Sequence, residues 1–148
     1  MQSSGSHFRN RIDAADQKLT SITEEQASEP RTPGWKNRKE ELGHLLDSAA
    51  NNHLRFVFAA VNGEYTGPTY NQRGWVDLHR YHDLHWRDLL DQWRMRNHWL
   101  AHVVEGIPDS AMEASCRVGS NEPVTLRFLI DDYLRHLDHH VNHIVEPI

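Results

Sequence analysis

The 148-residue sequence contains 12 histidines, and four of them, His136, His139, His140 and His143, crowd a short stretch near the C-terminus. Residues four apart on a helix stand one above the other. His136 with His140, and His139 with His143, are therefore each able to bring two imidazoles to one metal ion. A helical wheel at about 100° per residue separates the pairs. Against the apolar stripe Leu126, Ile130, Tyr133, Leu137 and Ile144, His140 falls inside the edge and His136 on the border, whereas His139 and His143 rotate outward. The inward pair is the candidate pair of ligands. The plain alternative is a polar helix end whose histidines bond to neighbours or solvent.

A zinc-like ion that keeps a position open for chemistry takes three protein ligands, so the third must come from another helix. His44 is the best candidate. It shares a polar strip with Ser48, Asn51 and Arg55, roughly opposite the apolar stripe of its helix. Such a strip is either a solvated face or the wall of a polar cavity between helices. The second reading would explain why the helix tolerates Gly43, Asn51 and Asn52 in its middle, but periodicity leaves both open. His79, His82 and His85, spaced by threes, and His98 with His102, spaced by four, are expected to be solvated or packed. His7 and His53 carry no signal, and Cys116 reads as a spectator thiol in a loop. There is no Gly-rich phosphate loop, no Gly-x-Ser-x-Gly elbow and no Cys-x-x-Cys pair.

The elements that must hold these residues are helices. Apolar residues at Phe8, Ile12, Ala15 and Leu19 predict a first helix over Phe8 to Ala27, broken by Pro30-Arg31-Thr32-Pro33-Gly34. Asn37 predicts the N-cap of a second helix reaching about Val61, its stripe being Leu42, Leu45, Leu46, Ala49, Phe56, Val57 and Ala60. Asn62 to Gly74 reads as a long loop, with a short helix around Trp75 to Tyr81. A further helix is predicted from Trp86 to Glu105, with Leu89, Leu90, Trp93, Leu100 and Val104 on one side, stopped at Gly106. Ala111 to Pro123 is irregular or a brief hairpin, and Thr125 caps a last helix to about Val145. Four long helices joined by short or irregular connections make an all-α four-helix bundle. Residues 1–7 are expected as a flexible leader and 8–148 as one domain.

Sixteen Lys and Arg against 21 Asp and Glu give a net charge of −5, and no basic stripe offsets it, so nucleic acid is not an expected partner. A single cysteine, no signal-like leader and no apolar run of about 18 residues predict a soluble cytoplasmic chain that neither crosses a membrane nor carries a disulfide.

The stretch Pro33-Gly34-Trp35, followed by Lys39-Glu40-Glu41-Leu42-Gly43-His44-Leu45-Leu46-Asp47-Ser48, resembles the second-helix motif of the DinB/YfiT-like superfamily. Tyr133-Leu134-Arg135-His136-Leu137-Asp138-His139-His140 resembles that family's closing His-x-x-His-His motif. The resemblance runs from about residue 8 to 145, and the order and 92-residue separation of the motifs make the joint match specific. It implies a four-helix bundle of the DinB/YfiT-like type in which His44, His136 and His140 bind a divalent metal, zinc or nickel. Members of the family include thiol S-transferases, mycothiol-dependent maleylpyruvate isomerase and metal-dependent hydrolases, and homodimers are common. The implied function is therefore a metal-dependent hydrolase or thiol-dependent S-transferase acting on a small molecule, with a low-molecular-weight thiol as a further cofactor. The rival is a non-catalytic metal-binding or stress-response protein, whose metal site a fourth protein ligand would close. Asp47, Asn51, Asn52 and Arg55 are the polar residues nearest His44 in sequence, and Tyr70 and Trp75 are candidate pocket walls.

Overall fold

The computed structural model describes residues 4–31 and 33–147, in which four long helices surround one apolar core. In chain order they are α1 (Ser4–Thr20), α3 (Arg38–Asn62), α5 (Trp86–Glu105) and α6 (Leu126–Val145). Two short helices, α2 (Glu24–Ser28) and α4 (Gln72–His79), lie in the connections. α1 and α3 each pack against both α5 and α6, so α1 faces α3 across one diagonal of the bundle. No described helix is long and apolar enough to cross a membrane.

The helix starts follow their caps. Asn37 accepts from the Glu40 amide to open α3, and Thr125 accepts from the Phe128 amide to open α6. Gly63, in the left-handed region at φ 84°, closes α3. The expected first helix is in fact two. α1 ends at Thr20, and Thr23 with Gln26 forms a reciprocal capping box that starts α2, so the backbone leaves helical geometry where the sequence predicted continuity to Ala27. α1 also begins at Ser4, taking in part of the expected leader; residues 1–3 lie outside the described residues.

Two segments expected to be irregular meet in a small sheet. β1 (Glu64–Gly67) runs parallel to β2 (Ser115–Val118), with Tyr65 opposite Cys116, and β2 pairs antiparallel with β3 (Val124–Thr125). The hairpin between β2 and β3 was foreshadowed around Val118 to Asn121. The parallel partner joins residues about fifty positions apart, and strands this short carry almost no period-two signal. The sheet lies over one end of the bundle and puts buried Cys116 on a strand rather than in a loop.

The apolar stripes of α1, α5 and α6 are buried as predicted. On α3 the stripe is shifted: Val57 is 37% exposed, and Ala59 takes a buried place. The first half of α3 departs further from an amphipathic helix. Every residue from Asn37 to Ala49 is buried, including Arg38, Lys39, Glu40, Glu41, His44 and Asp47. Charges so enclosed require partners. Lys39 pairs with Glu24 of α2, and Arg38 donates to the carbonyls of Ile144 and Glu146 at the end of α6. Arg31 donates to the carbonyls of His143 and Ile144. Two guanidinium groups thus satisfy the C-terminal carbonyls of the helix that carries the histidines, and fix its height against α3.

Candidate metal centre

His44 projects from α3 toward α6, where it meets His136 and His140. The three rings offer ligand nitrogens that all lie within 4.8 Å of one another. His44 Nε2 and His136 Nε2 are 3.2 Å apart. Two nitrogens at about 2.1 Å from one tetrahedral zinc would be separated by about 3.4 Å, so the pair already has nearly the spacing of co-ligands. Ring centroids are 5.1 Å apart for His44 and His136, 4.8 Å for His44 and His140, and 4.5 Å for His136 and His140. The donor set, three imidazoles, is of the kind that suits zinc, nickel and similar ions.

The environment keeps His44 and His136 neutral. Burial, reinforced by the neighbouring imidazoles, lowers the pKa of His44 to about 3. Burial and His140 lower that of His136 to about 4. A neutral ring has a lone pair to give, and two protonated rings could not approach so closely.

Glu41, one turn before His44 and enclosed in the same half of α3, was not singled out from the sequence. Its Oε2 accepts from His140 Nδ1 at 2.7 Å, and its Oε1 accepts from His143 Nδ1 at 2.7 Å. Burial alone would raise this carboxyl, but the two hydrogen bonds outweigh it and hold the pKa below the ordinary value. A carboxylate taking the Nδ1 proton fixes the tautomer of His140 and leaves Nε2 as the lone pair facing the cluster. The sequence signal was available: an acid three residues before a candidate ligand lies on nearly the same helical face. His143, expected to rotate away, does leave the cluster, yet Glu41 ties it to the site. His139 touches the group only through the edge of His140, with centroids 5.2 Å apart.

Trp35, from the segment just before α3, stacks on His44 at 5.0 Å, and the Arg73 guanidinium lies over the Trp35 ring at 4.2 Å from its centre. Gly43 is required for a separate reason. A Cβ there would lie 1.9 Å from Cδ2 of Tyr81, whose ring occupies that space. Tyr81 donates to Asp47 Oδ1 at 2.6 Å, and His79 Nδ1 lies 3.0 Å from the same oxygen. Asp47 is therefore turned toward α4 and the turn after it. Burial raises its pKa above the ordinary value against the opposing hydrogen bonds.

His136 also lines a cavity of about 280 Å³ between α3, α6 and the small sheet, together with Ser48, Asn52, Arg55, Tyr70 and Cys116. The polar strip of α3 is thus interior, which answers the question periodicity left open. Asn51 instead donates to the Asp47 carbonyl. Tyr70 forms part of the wall, and Trp75 packs against Tyr70 at 5.1 Å. Burial raises the pKa of the Cys116 thiol, favouring its protonated form. The remaining histidine groups do not converge. His79 serves Asp47, His82 lies by Glu40 and Asp83, His85 caps α5, and His98 faces Asp13.

A sequence model of the DinB superfamily matches residues 7–144 of the chain. No curated protein matches it. Among solved structures, YfiT from Bacillus subtilis, described as a probable metal-dependent hydrolase with an unusual four-helix bundle topology, superposes with a TM-score of 0.82. The sequences are 19% identical, and the match covers 95% of this chain and 83% of that one. The mycothiol-dependent maleylpyruvate isomerase superposes with a TM-score of 0.79 at 12% identity, covering 97% of this chain. This chain spans only 63% of the isomerase. At these identities the likenesses concern the fold.

Proposed function

The chain belongs to the DinB superfamily, and from that membership and the cluster geometry we propose that it is a divalent-metal-dependent enzyme acting on a small molecule. The observation that carries this reading is the convergence of His44, His136 and His140 at a cavity that His136 itself lines. Among the described residues the metal-ligand group has three members, and Glu41 spends its oxygens on the Nδ1 atoms of His140 and His143. That arrangement favours an open position over the closed four-ligand site of the structural rival.

When bound, a zinc or nickel ion would supply Lewis acidity and lower the pKa of a water or thiol beside it. The chain's own residues do the rest. His44 and His136 present Nε2, and Glu41 holds the Nδ1 proton of His140 so that the third nitrogen faces the same point. Trp35 covers His44 and limits access of water from that side. Asn52, Tyr70 and Arg55 offer polar contacts to a molecule in the cavity. Hydrolysis of a small substrate and transfer to a low-molecular-weight thiol both fit this arrangement. The fold likeness to YfiT and to the maleylpyruvate isomerase supports testing both. A homodimer is part of the proposal, to be measured by sedimentation equilibrium.

The test is a screen of zinc- and nickel-loaded protein against ester and amide substrates, and against electrophiles with thiols. A genuine activity is lost on chelation and in His136→Ala, and retained in His139→Ala. An activity that survives His136→Ala arises elsewhere.

A further inference from the structure

The polar strip of α3 does not end at the metal cluster. His44, Ser48, Asn52 and Arg55 follow one another along one side of the helix, and the last three line the cavity together with His136. Eleven residues separate His44 from Arg55, which is three turns plus about 20°, so the two side chains leave α3 in nearly the same direction. Their Cα atoms are about 16 Å apart along the axis at 1.5 Å per residue, and side chains leaning toward each other shorten that gap.

Arg55 is half-buried, and among the described residues it makes neither an ion pair nor a hydrogen bond; its guanidinium lies 6.0 Å from the centre of the Tyr70 ring. Arg80, Arg87 and Arg96 also have no protein acceptor, but they are exposed and water serves them. Elsewhere the fold pairs its enclosed cations carefully, as Arg38 and Lys39 show. A partly desolvated guanidinium at a cavity wall, with its fork of donors unspent, matches a planar carboxylate. Glu122 and Asp132 line the same cavity without pairing with Arg55. Their negative charge disfavours a doubly charged phosphate and leaves a single carboxylate as the better fit.

Resting on the metal-centre reading above, we infer that Arg55 anchors the carboxylate of an elongated small molecule whose opposite end reaches the His44–His136–His140 cluster. The substrate class is thus a carboxylic acid with its reactive group remote from the acid. Arg55 sets specificity, and no part in the bond-making step is assigned to it.

The experiment uses the full chain loaded with Co(II) and reads the cobalt absorption band. Its probes are the monohydroxamates of straight-chain dicarboxylic acids from succinic to suberic, each compared with its methyl ester. The hydroxamate marks the metal end in both, and only the acid carries the charge. In the wild type the best-fitting acid should bind about tenfold tighter than its ester, the scale of one charge-assisted hydrogen bond. Arg55→Gln should bring acid and ester within about threefold of each other, and Arg55→Lys should keep part of the preference. Circular dichroism and the cobalt band itself check that both variants fold and load metal, and the acid-to-ester ratio within each variant is the readout. Equal binding of acid and ester by the wild type overturns the inference, as does a preference that survives Arg55→Gln. Absence of a cobalt band, or a band that persists in His44→Ala, instead overturns the metal-centre reading.

Discussion

The two halves of α3 are built on different rules. From Ala50 to Asn62 the helix is amphipathic: Phe56 and Ala59 point inward, Asn52 and Arg55 border the cavity, and Leu54, Val57, Phe58 and Val61 are exposed. From Asn37 to Ala49 it has no exposed residue at all. α2, the turn carrying Tyr81, α5 and α6 surround it, and its charged side chains are answered one by one. A helix enclosed on every side is where a small bundle can place ligands on a rigid frame, because each rotamer is fixed by packing and hydrogen bonds. The exposed half is free of those constraints. The His44–His136–His140 cluster sits at the enclosed end, and the cavity lies alongside the transition between the halves.

The sharpest way to break this contrast is to change one side chain in each setting. Gly43→Ala pushes a Cβ into the Tyr81 ring and should cost about 3 kcal/mol, the upper range for overpacking, because the ring must leave its bond to Asp47. Leu54→Ala, on the exposed half, should stay within about 0.5 kcal/mol of wild type. Urea denaturation of the pair measures both. Similar losses would mean that the two halves are not distinct.

Glu41 tests whether enclosure serves the site. Glu41→Gln preserves shape and removes the charge that holds the His140 tautomer, so zinc affinity should fall about 10- to 100-fold. A competition titration with a chromophoric chelator reads this directly. Unchanged affinity would reduce Glu41 to a packing residue. On α6 the same titration should rank the outward histidines. His143→Ala removes one of Glu41's two partners and should weaken binding less than Glu41→Gln does, whereas His139→Ala should leave it unchanged. Equal losses from the two would contradict the geometry.

A smaller effect concerns the metal-free chain and acid. Folded His44 and His136 titrate at about 3 and about 4, below the ordinary 6.5. Between these limits the unfolded chain takes up protons that the folded chain refuses, so the stabilisation from neutral burial is complete above pH 6.5 and is lost as pH falls. Glu41 is also shifted downward and contributes in the same sense, but below its ordinary 4.5. Thermal melts of apo protein between pH 6.5 and 4.5 lie above that value. Asp47, raised by burial, acts in the opposite sense, so the histidine share is read as the difference from a variant lacking both rings. The Tm should fall across that window, and fall less in a His44→Gln, His136→Gln double variant. A Tm that rises toward pH 4.5 would contradict the assigned protonation states.

The same contrast explains what could be read from the sequence. The exposed faces of α1, α5 and α6 leave a 3.6-residue rhythm, and Asn37, Gly106 and Thr125 mark helix ends with local chemistry, so the bundle was legible. The Thr23–Gln26 capping box was equally local, and passing over it merged α1 with α2. The sheet escaped because its parallel pair, Tyr65 with Cys116, is a long-range contact between very short strands. His44 escaped periodicity because a helix buried all round has no wet face against which to measure a stripe. It was placed by its resemblance to a family motif, and the structure then set it against His136 and His140. Glu41 and Tyr81 lay in plain view, but their roles depend on partners 99 and 34 residues away, His140 and Asp47, and spacing alone does not reveal such contacts.

The central claim is that His44, His136 and His140 together hold one divalent ion. The direct measurement is metal content by mass spectrometry after equilibration with zinc or nickel and desalting, on wild type and on the three single alanine variants. The account predicts about one ion per chain in the wild type and almost none in His44→Ala or His136→Ala, since losing a ligand should cost more than the 10- to 100-fold of a supporting residue. Retention of a stoichiometric ion in both of those variants would contradict it.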